Sequence, residues 1–528
     1  MRAQLPWCRG LFLAVSLALA GCDRPGSPAP ATAPSAAHTG ISWFDGSVQE
    51  ALTAAAAQHK PVFLYWGAEW CPPCHDLKAH VFSRRDVQDK MRQFIPVYLD
   101  GDAPGAQRLA GEFHVSGYPT AVVLRADRTE ITRIAGGMDL ARYADVLDLA
   151  LEDLRPATQL LAGLREGAAL NAADCRRLAY NGWLLDPEAE AEAGALAISL
   201  QQAAQSCPAS ATLERDRLTV TAAGLAAGSE REGVEAGGPP SPALSQSLDS
   251  VAILLADRAR ALPVVDLLLD AGEDFFPVSH RVHPERDGKL LEQWSSLMDA
   301  LESDPAYSGS VRLMSAAGRL YAAKSLSATA EIPGPVRESA RRTLDEYLAR
   351  DYAVDERAGI VNSASWVLTY LQDDVKLRSL LEGEIRTSRT PFYYMPDLAD
   401  VYERAGDRTA ALDWLEKGYR ESRGPATRFQ WGVLYVEGLL RMTPDDVPRI
   451  QAATSQVLGE LQGPDRIHGR ARQRLSRLGR ELGTWSTQPR RAAASAAIAH
   501  HWSGICAGLP PGDAARGDCR GLLPLAGI

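Results

Sequence analysis

Two cysteines separated by two prolines have the types and spacing that suit a chemical reaction. Cys71 and Cys74 lie in the run Trp-Cys-Pro-Pro-Cys at residues 70–74. A pair at this spacing can form a disulfide and exchange it, because a thiolate attacks one sulfur of a disulfide and displaces the other. The pKa of a thiol falls at the N-terminus of a helix, where unpaired backbone N–H groups favour negative charge.

The flanking sequence predicts the elements that position this pair. Residues 61–66 are a short apolar and aromatic run, which is typical of a buried strand, and residues 75–81 follow a helical pattern. Cys71 would then begin the helix, and Cys74 would lie one turn further on. We therefore expect Cys71 to be the exposed attacking thiol and Cys74 to resolve the mixed disulfide.

A cysteine pair at this spacing has three other interpretations. A structural zinc site needs four ligands, and no second Cys or His pair of suitable spacing lies nearby. The run from Cys71 to His75 matches the attachment motif of c-type haem, but haem leaves Tyr118-Pro119-Thr120 unexplained. A purely structural disulfide in an inert domain is the third. We expect no metal and no cofactor beyond the redox-active disulfide.

A second motif lies downstream of the cysteines. Residues 117–120 read Gly-Tyr-Pro-Thr, and the apolar run 121–124 follows them. The two motifs, in this order and at this spacing, resemble the thioredoxin family over residues 41–155. The resemblance implies an α/β thioredoxin fold with thiol–disulfide oxidoreductase activity and a cis bond before Pro119. It also implies that five residues support the active site: Trp70, Pro72, Pro73, Tyr118 and Pro119.

Within that family, the segment from Cys71 to Met91 most resembles the periplasmic domain of the DsbD-type transmembrane thiol reductases. This implies a reductase that acts on protein disulfides and takes electrons from a transmembrane donor. One position departs from the family pattern: Tyr65 stands where thioredoxins have a buried Asp that accepts the proton of the resolving cysteine. Glu69 or water would have to substitute for it.

The N-terminus predicts export and lipid attachment. Two arginines precede the apolar run 11–20, which is too short to span a bilayer. The following Leu-Ala-Gly-Cys resembles a bacterial lipobox, which implies a signal peptide over residues 1–21 and lipid on Cys22; the alternative is an ordinary signal peptide. Asp23 resembles a signal for retention at the inner membrane. The Pro/Ala-rich residues 22–40 then form a tether between the lipid anchor and the folded part of the protein, which would lie in the periplasm.

Residues 156–505 show helical periodicity with almost no strand alternation. Positions at an offset of 34 residues repeat, and residues 397–415 resemble a tetratricopeptide (TPR) repeat. The sequence therefore predicts an all-α helical-repeat domain, a TPR-like solenoid, after the thioredoxin fold. Such a domain offers a concave surface to a partner protein; alternatively, the helices only scaffold or cap the redox domain.

The remaining cysteines fit an oxidising compartment. Cys175 and Cys207 are candidates for one structural disulfide, and Cys506 and Cys519 for another, the latter pair in a Cys-containing tail over residues 506–528. The net charge of −10 argues against nucleic acid as a partner.

Together these features predict a lipid-anchored periplasmic thiol–disulfide oxidoreductase that acts as a reductase of protein disulfides. Its helical repeats are predicted to bind partner proteins. The rival prediction is a non-catalytic envelope lipoprotein scaffold.

Overall fold

The computed structural model describes residues 40–103, 105–135, 142–152, 154–183, 192–424 and 426–525. The predicted signal peptide, the lipidation site Cys22 and the tether up to residue 39 lie outside these residues.

The N-terminal part contains a four-stranded mixed sheet in the order β2-β1-β3-β4. The strands are β1 (Val62–Gly67), β2 (Ile95–Asp100), β3 (Thr120–Leu124) and β4 (Glu130–Ala135). Strand β1 runs parallel to β2 and antiparallel to β3, and β3 runs antiparallel to β4. Every residue of β1 is buried, which fits its continuous apolar sequence and a central strand covered on both faces.

Five helices accompany the sheet: α1 (Val48–Gln58), α2 (Pro72–Leu77), α3 (Arg85–Met91), α4 (Ala106–Glu112) and α5 (Tyr143–Glu152). A π-helical turn, Lys78–Phe82, directly extends α2. Ser47 caps α1 in a reciprocal capping box with Glu50. Helix α3 begins after Arg84, and Ser83, a candidate for its cap, donates instead to the Ala79 carbonyl at 2.6 Å.

The rest of the described chain is helical, as the sequence predicts. Its helices are α6 (Ala157–Arg165), α7 (Ala172–Tyr180), α8 (Ala193–Ser206), α9 (Thr212–Glu235), α10 (Pro242–Leu255), α11 (Arg258–Ala261), α12 (Val265–Val282), α13 (Asp287–Ser303), α14 (Gly309–Ser325), α15 (Gly334–Leu348), α16 (Val354–Leu371), α17 (Asp374–Thr387), α18 (Met395–Arg404), α19 (Arg408–Glu421), α20 (Thr427–Met442), α21 (Val447–Gly459), α22 (Gly469–Ser486) and α23 (Ala492–Ala507).

Two boundaries differ from the sequence prediction. The Gly/Pro-rich residues 228–242 predict a loop, but the chain is helical up to Glu235 in α9. The helical periodicity of residues 244–269 predicts one helix, but this helix ends at Leu255. The Asp257 side chain then accepts the Arg260 N–H at 3.3 Å and caps a new helix.

The two faces of the sheet belong to two different cores. On β1, Phe63 and Tyr65 pack in a core that continues through α5 into the helices that follow it. Leu64 and Trp66 point to the opposite face and share a core with residues of α18 to α23, including Trp431. The helical part of the chain therefore covers the sheet from both sides.

Two disulfides lie within the helical part. Cys175 in α7 is joined to Cys207 after α8, with Cα atoms 5.9 Å apart. Cys506 in the last turn of α23 is joined to Cys519, with Cα atoms 5.7 Å apart. These are the pairings that the sequence suggested. Over the residues that the structure covers, none of the helices has both the length and the apolar character needed to span a bilayer.

Candidate active site

Cys71 and Cys74 form a disulfide at the start of α2, with Cα atoms 5.2 Å apart. Cys71 is the N-cap residue, and its Sγ accepts the backbone N–H of Cys74 at 3.2 Å. Pro72 and Pro73 fill the first helical positions, where a missing N–H loses no intrahelical hydrogen bond. The local sequence thus explains both the start of the helix and the position of the sulfurs.

The second predicted motif leads into β3 next to this disulfide. The Tyr118–Pro119 peptide bond is cis, as expected. The Trp70 and Tyr118 rings lie 6.3 Å apart, and both share one apolar core with Cys71 and Cys74. The Tyr118 hydroxyl accepts a hydrogen bond from Gln107 Nε2 at 2.9 Å. The fold therefore brings the two sequence motifs to one place.

Neither sulfur faces solvent. Cys71 is 0% exposed and Cys74 is 1% exposed. The expectation that Cys71 is an exposed thiol is therefore wrong for this structure. Four segments of the helical part pack on Trp70, His75 and Tyr118, the residues beside the disulfide, and this packing accounts for the burial that the sequence did not predict. We call these segments the cover: α16, the turn Pro391–Tyr393, α20 and α22.

Aromatic side chains make the cover apolar on one side. The Trp70 ring stacks on Tyr393 at 6.0 Å and meets Trp431 edge-on at 5.4 Å. Trp431 is 3% exposed, and its Nε1 donates to the Phe392 carbonyl at 2.7 Å. Such aromatic pairs add to the free energy of apolar burial, so they stabilise the packing of Tyr393 and Trp431 on Trp70.

The cover is polar on the side of α16. His75 Nδ1 pairs with the Asp355 carboxylate, and His75 Nε2 lies 2.6 Å from the Glu69 carbonyl oxygen. His80 Nε2 lies 3.5 Å from Glu356 Oε1. We call the contacts of His75 and His80 with Asp355 and Glu356 of α16 the seam.

A further polar contact, with α14, lies beside the seam. The Ser310 hydroxyl donates to Asp76 in α2. Burial raises the pKa of the Asp76 carboxyl, an effect that the hydrogen bond from Ser310 opposes.

Asp102, in the turn after β2, joins the sheet domain to the N-terminus of α20. Its carboxylate accepts the backbone N–H groups of Ala426 at 2.5 Å and Thr427 at 2.9 Å, together with the Thr427 hydroxyl at 2.9 Å. Burial, together with the nearby Asp100 carboxylate, raises the pKa of Asp102 to about 7. Gly424 approaches so closely that a Cβ there would lie 2.4 Å from Asp102 Cγ.

A buried arginine from α22 covers Tyr118. The guanidinium carbon of Arg470 lies 4.3 Å from the Tyr118 ring centroid, and Arg470 is 1% exposed. Its three side-chain nitrogens make no hydrogen bond of standard geometry within the described part of the chain. Burial lowers the pKa of Arg470 to about 10, and the ring face below it supplies part of the compensation for desolvating the cation.

The described residues include no group of three or more His, Cys, Asp or Glu side chains that could hold a metal ion. The reactive group of the site is the Cys71–Cys74 pair, because a disulfide can exchange with a thiolate.

Comparison with known proteins agrees with this geometry. Residues 48–151 match the family model of a thioredoxin-like domain. This segment is therefore the thioredoxin-like domain of the chain.

Curated relatives of this chain are named thiol:disulfide interchange protein DsbD. The protein from Yersinia pestis is 34% identical over 93 residues, which cover 17% of this chain and 16% of that protein. The protein from Cronobacter sakazakii is 29% identical over 154 residues, covering 27% of this chain and 26% of that protein. Most of each DsbD protein is therefore left uncovered. The solution structure of a thioredoxin from Thermus thermophilus is 27% identical and covers 24% of this chain and 86% of that one, with a TM-score of 0.17.

The thioredoxin-like domain has no carboxylate at position 65. Tyr65 is 1% exposed, and its hydroxyl has no hydrogen-bond partner among the residues that the structure describes. Burial raises the pKa of this hydroxyl well above its usual value, so it does not accept a proton near neutral pH. The side chain of Glu69 is exposed, whereas Cys74 is buried.

The predicted site residues of the thioredoxin-like domain come together: Trp70, Cys71, Pro72, Pro73, Cys74, Tyr118 and Pro119. The two remaining cysteine pairs lie apart from them in the helical part, and Cys22 lies outside the described residues. Sequence reasoning missed four residues that surround the site: Asp102, Asp355, Tyr393 and Arg470. No local pattern marks them, because their partners lie far away in the sequence; His75 and Asp355, for example, are 280 positions apart.

Proposed function

We propose that this protein is a thiol–disulfide oxidoreductase whose redox-active group is the Cys71–Cys74 dithiol. One observation carries the proposal: the two cysteines form a disulfide at the first turn of α2 within a thioredoxin-like domain. The Cys74 N–H that points at Cys71 Sγ favours a thiolate at Cys71 when the pair is reduced.

The proposed reaction proceeds in two exchanges. The Cys71 thiolate attacks one sulfur of a substrate disulfide, forms a mixed disulfide and expels the other substrate sulfur as a thiolate. Cys74 loses its proton, attacks the Cys71 sulfur and releases the second substrate thiolate. Two electrons have then moved from the protein dithiol to the substrate. A dithiol donor must reduce the Cys71–Cys74 disulfide before the next cycle.

We further propose that the reaction runs towards reduction of protein disulfides, with a transmembrane protein as electron donor and no additional cofactor. The Trp-Cys-Pro-Pro-Cys motif and the similarity of this domain to part of the DsbD proteins support this direction. A redox potential near about −270 mV, as in thioredoxin, would indicate a reductant, and one near about −120 mV, as in DsbA, an oxidant.

The proposed location is the periplasm, with lipid on Cys22 anchoring the protein to the inner membrane. Support comes from the apolar run 11–20, the Leu-Ala-Gly-Cys motif and Asp23. Replacing Cys22 with Ala should abolish incorporation of labelled palmitate. Palmitate on the Cys22→Ala protein would contradict the assignment.

For the helical part we propose TPR-like repeats that bind a partner protein. The helices α18 and α19, which carry the TPR-like sequence, pack against each other across a turn at Gly406 and Asp407. This pairing is what a helical hairpin repeat requires.

A non-catalytic scaffold is the second candidate, and the burial of both sulfurs favours it. Insulin reduction in the presence of dithiothreitol (DTT) separates the two. Wild-type protein should reduce insulin faster than DTT alone, and both Cys71→Ser and Cys74→Ser should abolish the acceleration. The scaffold is favoured if insulin reduction by the wild type, and by a variant in which Asp355 and Glu356 are replaced with Ala to weaken the cover, is no faster than with DTT alone.

A further inference from the structure

The two sides of the cover differ in how they are held. On the apolar side, Tyr393 and Trp431 pack directly on Trp70, and Trp431 belongs to the core that includes Leu64 and Trp66 of the sheet. Separating these surfaces exposes large apolar areas to water, so this side resists opening.

On the side of α16 the contacts are polar and partly exposed. The side chains of Asp355 and Glu356 are 43% and 42% exposed, and they face His75 and His80 of the thioredoxin-like domain, whose side chains are 15% and 27% exposed. Ion pairs with one partner this exposed contribute only modestly, because water and salt ions can replace that partner. The seam is therefore the weaker of the two sides.

The backbone of α16 also comes unusually close to α2 at the seam. A Cβ added at Gly359 would lie 2.7 Å from Asp76 Oδ1 and 3.2 Å from Ser310 Cβ. Helix α16 therefore seats against Asp76 only because residue 359 has no side chain. A group added there forces the Asp76 carboxylate, or the helix that carries it, to move.

We propose that the cover holds the redox disulfide closed and that thiols reach it by local opening of the seam between α2 and α16. This inference rests on the proposed function. Segments held by partly exposed polar contacts are among those that open locally most readily. A thiolate of a dithiol reductant then attacks one sulfur of the Cys71–Cys74 pair, and its second thiolate attacks the resulting mixed disulfide. The protein gains two electrons and two protons, and the reductant leaves as a disulfide.

The rate at which DTT reduces the Cys71–Cys74 disulfide in the full chain tests this inference. Samples are quenched with acid at intervals, alkylated, and the peptide containing residues 71–74 is quantified by mass spectrometry. The seam variant is Asp355→Ala with Glu356→Ala. Its matched control is Glu338→Ala with Glu346→Ala, which removes the same charges from exposed positions on α15.

We expect the seam variant to be reduced about fivefold to tenfold faster than wild type, as loss of several weak polar contacts should produce. The control should match wild type. A second variant, Gly359→Ala, places a methyl group against Asp76 and should also accelerate reduction. Its control is Gly383→Ala, where the nearest atom to the added Cβ is 3.9 Å away and nothing needs to move.

Equal rates for wild type, controls and both seam variants would overturn the proposal. Acceleration by Tyr393→Ala alone would overturn it as well, because the route would then lie on the aromatic side. Circular dichroism establishes that each variant is folded. Insulin reduction by the same proteins keeps the two claims apart. If DTT reduces the seam variants faster but no protein reduces insulin, the proposed activity is wrong. If the proteins reduce insulin but DTT reduces the seam variants no faster than wild type, the proposed opening of the seam is wrong.

Discussion

At the scale of single residues, the buried hydroxyl of Tyr65 has no hydrogen-bond partner within the part of the chain that the structure describes. It lies on β1 among aromatic neighbours, with the Phe82 ring 5.0 Å away and the Tyr98 ring 5.7 Å away. A buried hydroxyl that makes no hydrogen bond loses its hydration without replacement. The domain therefore retains this residue at a cost in stability.

Replacing Tyr65 with Phe should raise the free energy of unfolding by about 1 kcal/mol, because the uncompensated hydroxyl is removed. Tyr419→Phe is the matched control, since its buried hydroxyl donates to Glu460 at 2.6 Å, and its loss should lower stability by about 1–3 kcal/mol. Urea unfolding of the two variants measures both changes. A loss of stability in Tyr65→Phe would mean that the hydroxyl has a partner.

Asp102 should make stability depend on pH. Its pKa rises from 3.8 to about 7 on folding, through burial and the Asp100 carboxylate. The folded protein then binds this proton more tightly than the unfolded chain does. The contribution of Asp102 to the free energy of unfolding therefore falls as pH rises from 3.8 to about 7, and is constant outside that window.

Asp102→Asn should remove this part of the pH dependence while keeping an oxygen that accepts the N–H groups of α20. Asp127→Asn is the matched control: hydrogen bonds from Arg125 and Thr129 lower the pKa of Asp127 below 3.8, so its contribution is lost only below that pH and its replacement should leave the slope between pH 4 and pH 8 unchanged. Urea unfolding between pH 4 and pH 8 measures the slopes. An unchanged slope in Asp102→Asn would show that Asp102 does not titrate in this window.

The sequence could predict those site residues whose neighbours lie within one or two elements. Cys71 and Cys74 are positioned by a strand and a helix on either side of them, and the cis bond before Pro119 by its own short motif. The roles of Asp102 and Arg470 could not be predicted, since each depends on a partner brought close only by the complete fold; Asp102 and Ala426 are 324 positions apart.

At the scale of elements, helix starts were predictable where one polar side chain sets them. Ser47 directly precedes a helical run in the sequence, which is typical of an N-cap, and its hydroxyl accepts the Glu50 N–H at 3.2 Å. Ser83 is equally suitable by residue type, but after the π-helical turn that follows α2 the N-cap of α3 is Arg84. The length of α9 was missed because glycine and charged residues at its C-terminal end resemble a loop.

Ser47→Ala should lower the free energy of unfolding by about 1 kcal/mol, because it removes the capping box. Ser83→Ala should have little effect, since the Ser83 hydroxyl bonds only within its own turn and α3 has no side-chain cap. Thermal or urea unfolding of both variants measures the difference. Equal losses would show that the capping box at Ser47 contributes nothing particular to α1.

At the scale of the whole molecule, the sheet belongs to two cores at once. Its faces are completed by helices that follow it directly and by helices near the C-terminus. The sequence predicted the two classes of structure and their order along the chain. It did not predict that the helices would cover the disulfide, because helical periodicity identifies a buried face but not the surface that buries it.

Leu64→Ala should therefore destabilise the C-terminal helices together with the sheet. Leu64 is fully buried, and its truncation should lower the free energy of unfolding by about 2–5 kcal/mol. Hydrogen exchange followed by mass spectrometry should show equal loss of protection in peptides from β1 and α20. Loss of protection confined to β1 would show that the two parts unfold independently.

The central claim is that Cys71 exchanges disulfides with protein substrates and that Cys74 completes the exchange. Trapping of a mixed disulfide tests it most directly. Full-length Cys74→Ser is incubated with oxidised insulin, quenched with acid and mapped by mass spectrometry under non-reducing conditions. We expect an insulin chain on Cys71, and no equivalent adduct on Cys74 in Cys71→Ser. No adduct in either variant, or one that forms as readily on Cys74, would contradict the account.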